Sequence, residues 1–98
     1  MAEPRYWYLV MYDVSAPVAL RKVHKLLCAW GVPVQYSVLR VRGSRRQINQ
    51  LDHEIVRIID SEDRLLIIRV CDACVQSAII EGRELAPFDL DPPTHDVF

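Results

Sequence analysis

Residues 6–15 read Tyr6-Trp7-Tyr8-Leu9-Val10-Met11-Tyr12-Asp13-Val14-Ser15. Apolar and aromatic side chains run unbroken from Tyr6 to Tyr12 and stop at Asp13. A run of that length and type suits a strand covered on both faces, so it is expected at the centre of a sheet. A carboxylate at the carboxyl end of a central strand is held rigidly at a surface, where chemistry can use it. Taken alone, however, an Asp between a strand and a helix reads as a turn or cap residue. Ser15, Ala16 and Pro17 then predict a helix start, with Ser15 as the capping hydroxyl and Pro17 in the first turn, where its missing N–H costs nothing.

Outward from this stretch, Leu20, Val23, Leu26, Leu27 and Trp30 recur at helical spacing and predict a helix over 17–30 with one buried stripe. Arg21, Lys22 and Lys25 fall off that stripe, near the same end of the sheet as Asp13. Cys28 reads as packing and His24 as a surface residue. Gly31 reads as the stop just past the helix. Residues 33–42 form either one long strand or two short ones reversing near Gln35–Ser37. Periodicity does not decide between them. Ser44 with Gln47 is a capping box opening a second helix to about Ile59, its buried stripe Ile48, Leu51, Ile55, Ile58 and Ile59. Asp52, Glu54 and Arg57 are expected on its solvated side, with His53 on the surface. Asp60–Asp63 reads as a solvated acidic turn.

Arg64–Val70 is almost wholly apolar and predicts another interior strand. Cys71-Asp72-Ala73-Cys74 has the spacing of half a zinc site or a redox pair. A second ligand pair for zinc is missing, and a redox pair of the thioredoxin type would follow an early strand, so a structural turn is expected. Val75–Ile80 predicts a short strand. Residues 86–98 hold Pro87, Pro92 and Pro93 and are expected to be extended, with a last short strand at Thr94–Phe98.

The chain has 98 residues, 51% of them hydrophobic, and a net charge of −1. That length is one domain. A domain of this size buries only about 60–65% of its unfolded surface and gains from dimerising. The charge is segregated. Residues 1–46 hold eight Lys/Arg against Glu3 and Asp13, whereas 47–98 hold four Lys/Arg against eleven acids. A basic face for a polyanion is therefore expected beside an acidic remainder. No apolar run approaches the roughly 20 residues that span a bilayer. The N-terminal residues lack a secretory pattern, and three cysteines without one fit free thiols in a reducing cytoplasm.

Two architectures suit this order: a ferredoxin-like sandwich with helices on one face of an antiparallel sheet, or a parallel sheet. Here the residues themselves resemble a family. Tyr12-Asp13-Val14-Ser15, the basic segment Arg21-Lys22-Val23 with Lys25-Leu26-Leu27, and Gly31 followed by Val34-Gln35-Tyr36-Ser37-Val38 are similar to the blocks of the CRISPR-associated protein two family. Its members are small endoribonuclease-like subunits of the spacer-acquisition machinery. The resemblance covers about residues 6–80. It implies an α+β, ferredoxin-like βαββαβ domain over 1–85 with two short strands in 33–42. It also implies a two-fold homodimer with facing sheets, and a C-terminal extension over 86–98 that docks an extra strand on the partner subunit. The family usually carries Phe where this chain has Leu39 and commonly an acid where it has Arg40.

By the same resemblance, Asp13 from each of two subunits would hold one Mg²⁺, or Mn²⁺, for hydrolysis of phosphodiester bonds in DNA or RNA. Tyr12 and Ser15 are the candidates to position water or phosphate. Arg21, Lys22 and Lys25 would hold a nucleic-acid backbone, with Arg40, Arg42, Arg45 and Arg46 extending the track. Magnesium keeps several waters, so two protein carboxylates suffice. Family members differ: some cut single-stranded RNA, some duplex DNA, and some neither. The alternative function is a non-catalytic scaffold that binds duplex DNA and bridges the CRISPR integrase subunits, for which phosphate contacts alone supply affinity.

Overall fold

The computed structural model describes residues 3–35, 37–79 and 81. Strand β1 (Tyr6–Asp13) sets the plan. Its side chains alternate, so Tyr8, Val10 and Tyr12 enter the hydrophobic core while Trp7, Leu9, Met11 and Asp13 lie on the opposite face. Helix α1 (Pro17–Trp30) follows, then β2 (Gly31–Gln35), β3 (Val38–Gly43), α2 (Arg45–Val56), β4 (Arg64–Val70) and the short α3 (Asp72–Gln76). The sheet order is β2-β3-β1-β4, with every neighbouring pair antiparallel. This is the ferredoxin-like arrangement, and 33–42 divides between two strands.

Both long helices cover one face. Val23 and Leu27 of α1 and Ile48, Leu51 and Ile55 of α2 bury against Val10, Leu39 and Val41 of the sheet. Leu27, Leu39, Leu51 and Ile55 are fully enclosed, each contributing about 1.5–3 kcal/mol through loss of apolar surface to water. The capping box of α2 forms as expected. Gln47 N–H donates to Ser44 Oγ at 3.2 Å, and Ser44 N–H donates to Gln47 Oε1 at 2.9 Å.

Several expectations are corrected. The N-cap of α1 is Ala16, whose side chain makes no cap bond, although Pro17 does open the helix. Ser15 is outside it and uses its backbone N–H elsewhere. Gly31 does stop α1 as expected, its N–H bonding Leu27 O, but it is extended, with φ −155°, and begins β2 at once. Its lack of a side chain matters for another reason: an added Cβ would collide with the Arg40 carbonyl oxygen across the β2–β3 pair. Helix α2 stops at Val56, but Ile58 N–H still bonds Ile55 O at 2.9 Å, so Ile58 and Ile59 keep their place against the core.

Strand β4 is an edge strand of the described sheet, not an interior one. Its apolar run serves two faces. Leu65 and Ile67 pack on the core, whereas Leu66 and Ile68 are 52% and 43% exposed. Asp52 and Glu54 are half-buried, and Cys28 is exposed instead of packed. The strand expected from Val75 is instead helix α3 with Cys71 as its N-cap; Val75 N–H bonds Cys71 O at 3.0 Å, and Val75 is its buried anchor. Ile80, the extension 86–98 and the strand expected at Thr94–Phe98 lie outside the described residues.

Candidate functional site

Asp13 ends β1 with its side chain exposed, in register with Arg64 of β4. Met11, Tyr12, Asp13, Asp63, Arg64, Leu65 and Leu66 line a cleft of ≈ 560 Å³ there. The β1–α1 connection is tied across this cleft, because Ser15 N–H donates to Asp63 Oδ1 at 3.1 Å. The other oxygen, Asp63 Oδ2, accepts from Asp60 N–H at 3.0 Å, and Asp60 Oδ1 in turn accepts from Glu62 N–H. The acidic turn is therefore an organised support for the Asp13 loop. The residues alone had marked it only as solvated.

Tyr12 is buried and belongs to the core, on the sheet face away from the Asp13 side chain. Its hydroxyl shares a 2.9 Å hydrogen bond with His24 Nδ1, and His24 Nε2 meets Cys28 Sγ at 3.5 Å. Burial, and then the charge of Cys28, push the Tyr12 phenol above its ordinary pKa. This Tyr-His-Cys chain was not legible in spacing between strand and helix. It borders a cleft of ≈ 540 Å³ lined by Tyr12, Leu20, Arg21, His24, Lys25 and Ser37.

The basic residues fall into three places. Arg21, Lys22 and Lys25 are exposed on α1. Arg40 and Arg42 lie on the sheet face opposite the helices, with their guanidinium groups 5.3 and 5.5 Å from the Trp7 ring centroid. Trp7 is only 4% exposed and Arg40 only 9%. Such cation–π contacts contribute about 0.5–2 kcal/mol. Arg45 and Arg46 open α2, where Arg46 also pairs with Glu3 at 2.8 Å. Since Trp7 and Asp13 are separated by about 20 Å along the strand, Arg42 sits at the end of β1 far from the carboxylate. The alternation of Arg40 and Arg42 was the available signal that they share a face. Leu39, just before Arg40, is fully enclosed on the core side and so does not reach that face.

Neither α1 nor α2 covers that face. Leu9, Met11, Val38 and Val70 are half-buried on it, and Val32, Leu66 and Ile68 are 44%, 52% and 43% exposed. It is a broad apolar surface with Trp7 and Arg40 embedded in it.

Among the described residues, no cluster of three or more His, Cys, Asp or Glu side chains is placed to hold a metal ion. The Asp13 carboxylate is exposed, and both oxygens of Asp63 accept backbone N–H groups. Nor is any described helix long and apolar enough to cross a membrane.

The chain matches the family described as "CRISPR associated protein Cas2" over residues 6–78. It belongs to the Cas2 family. A relative named "CRISPR-associated endoribonuclease Cas2 3" from Chloroflexus aurantiacus is 31% identical over 89% of this chain and 91% of its own. Another, "CRISPR-associated endoribonuclease Cas2 1" from Nitrosomonas europaea, is 31% identical over 56% of this chain and 52% of its own. The structure of Streptococcus pyogenes Cas2 superposes with a TM-score of 0.68 at 27% identity, covering 78% of this chain and 99% of that one. A chain of a partial Cas6-RT-Cas1–Cas2 complex shares the fold with a TM-score of 0.72 at 22% identity, over 94% and 99% of the two chains. The solved Streptococcus pyogenes Cas2 thus shares the fold of this chain.

Proposed function

We propose that this Cas2-family chain acts in CRISPR adaptation as a two-fold homodimer that cleaves phosphodiester bonds with the help of Mg²⁺ or Mn²⁺. The observation that carries this reading is an exposed carboxylate, Asp13, fixed at the end of a central strand and backed by the Asp63-anchored loop. The apolar sheet face supports the homodimer, since a single chain leaves Leu66, Ile68 and Val32 in water. Asp13 of each of two subunits would hold the cation, which fits a hard ion that retains several waters. When bound, the ion supplies an acidified water and charge stabilisation on the phosphate. The chain's own residues do the rest. The Ser15–Asp63 tie orients the Asp13 loop. Arg21 and Lys25 offer charge to a phosphate backbone from the adjoining face of α1. Tyr12 supports the loop from the core side through His24.

A second reading is favoured by one observation: the basic residues do not converge on Asp13 but spread over α1, the Trp7 face and the start of α2. Such spread suits a scaffold that binds duplex DNA by its backbone and bridges integrase subunits. The relatives named as endoribonucleases and the structure of a Cas1–Cas2 complex support the two readings respectively.

The deciding experiment is cleavage of labelled duplex DNA and single-stranded RNA with Mg²⁺, Mn²⁺ or EDTA, by the wild type and by Asp13→Ala purified identically. Metal-dependent cutting that the variant loses upholds the nuclease. Equal cutting by both, or binding of duplex by both without cutting, leaves the scaffold.

A further inference from the structure

Cys71 and Cys74 stand outside everything assigned above. Cys71 follows directly on β4, whose last residue Val70 pairs with Trp7, and Cys74 lies one turn on in α3. Both are exposed, and the Cys71 and Cys74 sulfurs are 3.3 Å apart, the Cys71 thiol meeting Cys74 in a hydrogen bond. This proximity is local and rigidly supported. Val75, next to Cys74, is buried and anchors the helix, while Val75 N–H bonds Cys71 O at 3.0 Å. The third cysteine, Cys28, is also exposed but lies on α1 against His24, without a sulfur beside it in the described contacts. The pair therefore differs from an ordinary surface thiol in geometry as well as in number.

We infer that Cys71 and Cys74 form a redox-active dithiol that closes to an intramolecular disulfide on reaction with a low-molecular-weight disulfide. Cys71 is the attacking group. The Cys74 backbone N–H and then its thiol stabilise the Cys71 thiolate, which lowers the Cys71 pKa below that of an ordinary thiol. The same hydrogen bond, and the charge on Cys71, raise Cys74. In the first step the Cys71 thiolate bonds to one sulfur of the small disulfide, whose S–S bond breaks and releases one small thiolate. In the second, Cys74 loses its proton and its sulfur bonds to Cys71 Sγ, releasing the second small thiolate. The two protein thiols give up two electrons, the small disulfide gains them, and the two protons pass to the released thiolates. Closure requires the sulfurs to approach from 3.3 Å to a bonded distance of about 2.05 Å, a movement within reach of two exposed side chains.

The test treats the full chain, carrying Cys28→Ser throughout so that wild type means wild type at 71 and 74, with oxidised glutathione and reads it by intact mass and iodoacetamide labelling. Wild type is expected to lose both thiols and two hydrogens in mass, with no retained glutathione and full reversal by dithiothreitol. Cys74→Ser is expected to stop at a glutathione adduct on Cys71. Cys71→Ser is expected to form an adduct on Cys74 more slowly than Cys74→Ser forms its own, because the backbone N–H at position 74 still supports the Cys71 thiolate in Cys74→Ser. Both positions are exposed, so circular dichroism of the serine variants should match wild type. A stable wild-type adduct, chains cross-linked to one another, or equal rates in the two serine variants would overturn the inference.

Discussion

Ser15 gives its backbone N–H to Asp63 across a sequence separation of 48 residues, at 3.1 Å. One carboxylate thereby joins the loop that follows β1 to the turn that precedes β4. Asp13 sits between these two segments, so its position depends on a residue far away in the chain.

Replacing Asp63 should therefore loosen two backbone groups at once. Asp63→Ala is expected to cost about 0.5–1.5 kcal/mol, the net worth of a typical hydrogen bond, because water can reach both exposed donors. Asp63→Asn, which keeps one acceptor oxygen, should cost less than half of that. Urea unfolding of both variants checks the order. If Asp63→Ala is as stable as wild type, the tie does not support the loop.

The apolar sheet face makes a prediction about assembly. Leu66→Glu combined with Ile68→Glu places two charges on a surface that is solvent-exposed in one chain but would be enclosed between two. The double variant is expected to fold, since both side chains point away from the core, and to run as a monomer. Light scattering after size exclusion measures this. A dimer of unchanged stability would exclude this face as the interface.

Tyr12 predicts a pH effect whose sign can be worked out. Its folded pKa is raised by burial and by Cys28. Between the unfolded value near 10 and the higher folded value, the unfolded chain has lost the proton that the native chain retains. Its contribution to stability is complete below about pH 10 and declines as pH rises through that window. In an ultraviolet titration of phenolate, Tyr12→Phe should remove one late-titrating tyrosine and leave the others unchanged. Loss of an early-titrating group instead would contradict the burial of this phenol.

Much of the architecture was readable from local signals. The Tyr6–Tyr12 run, Pro17, the Ser44–Gln47 box and the Val23/Leu27 and Ile48/Leu51/Ile55 stripes all report short-range chemistry, and each sits where spacing placed it. The errors share a cause in packing. The apolar Arg64–Val70 run is the same whether its second face meets a helix, a partner or water, so β4 was placed inside the sheet. Val75 to Ile80 has β-branched residues, yet the Cys71 cap and the buried Val75 favour a helical turn. Asp13 and the basic residues were visible as types. What spacing did not convey was the third dimension: that Arg40 and Arg42 clasp Trp7, that Tyr12 turns toward His24, and that Asp63 closes on Ser15.

The sheet order has a consequence for synthesis of the chain. β1 is made first but occupies the inside of the sheet, between β3 and β4. On the ribosome its aromatic segment has no strand to pair with until Val38–Gly43 has emerged, and its second edge waits for Arg64–Val70. A nascent chain halted between those points displays an unsatisfied, strongly β-forming ribbon, the kind of surface that recruits chaperones or aggregates. Productive folding thus waits until β4 has left the ribosome, and pauses would do most harm while residues 44–63 are emerging.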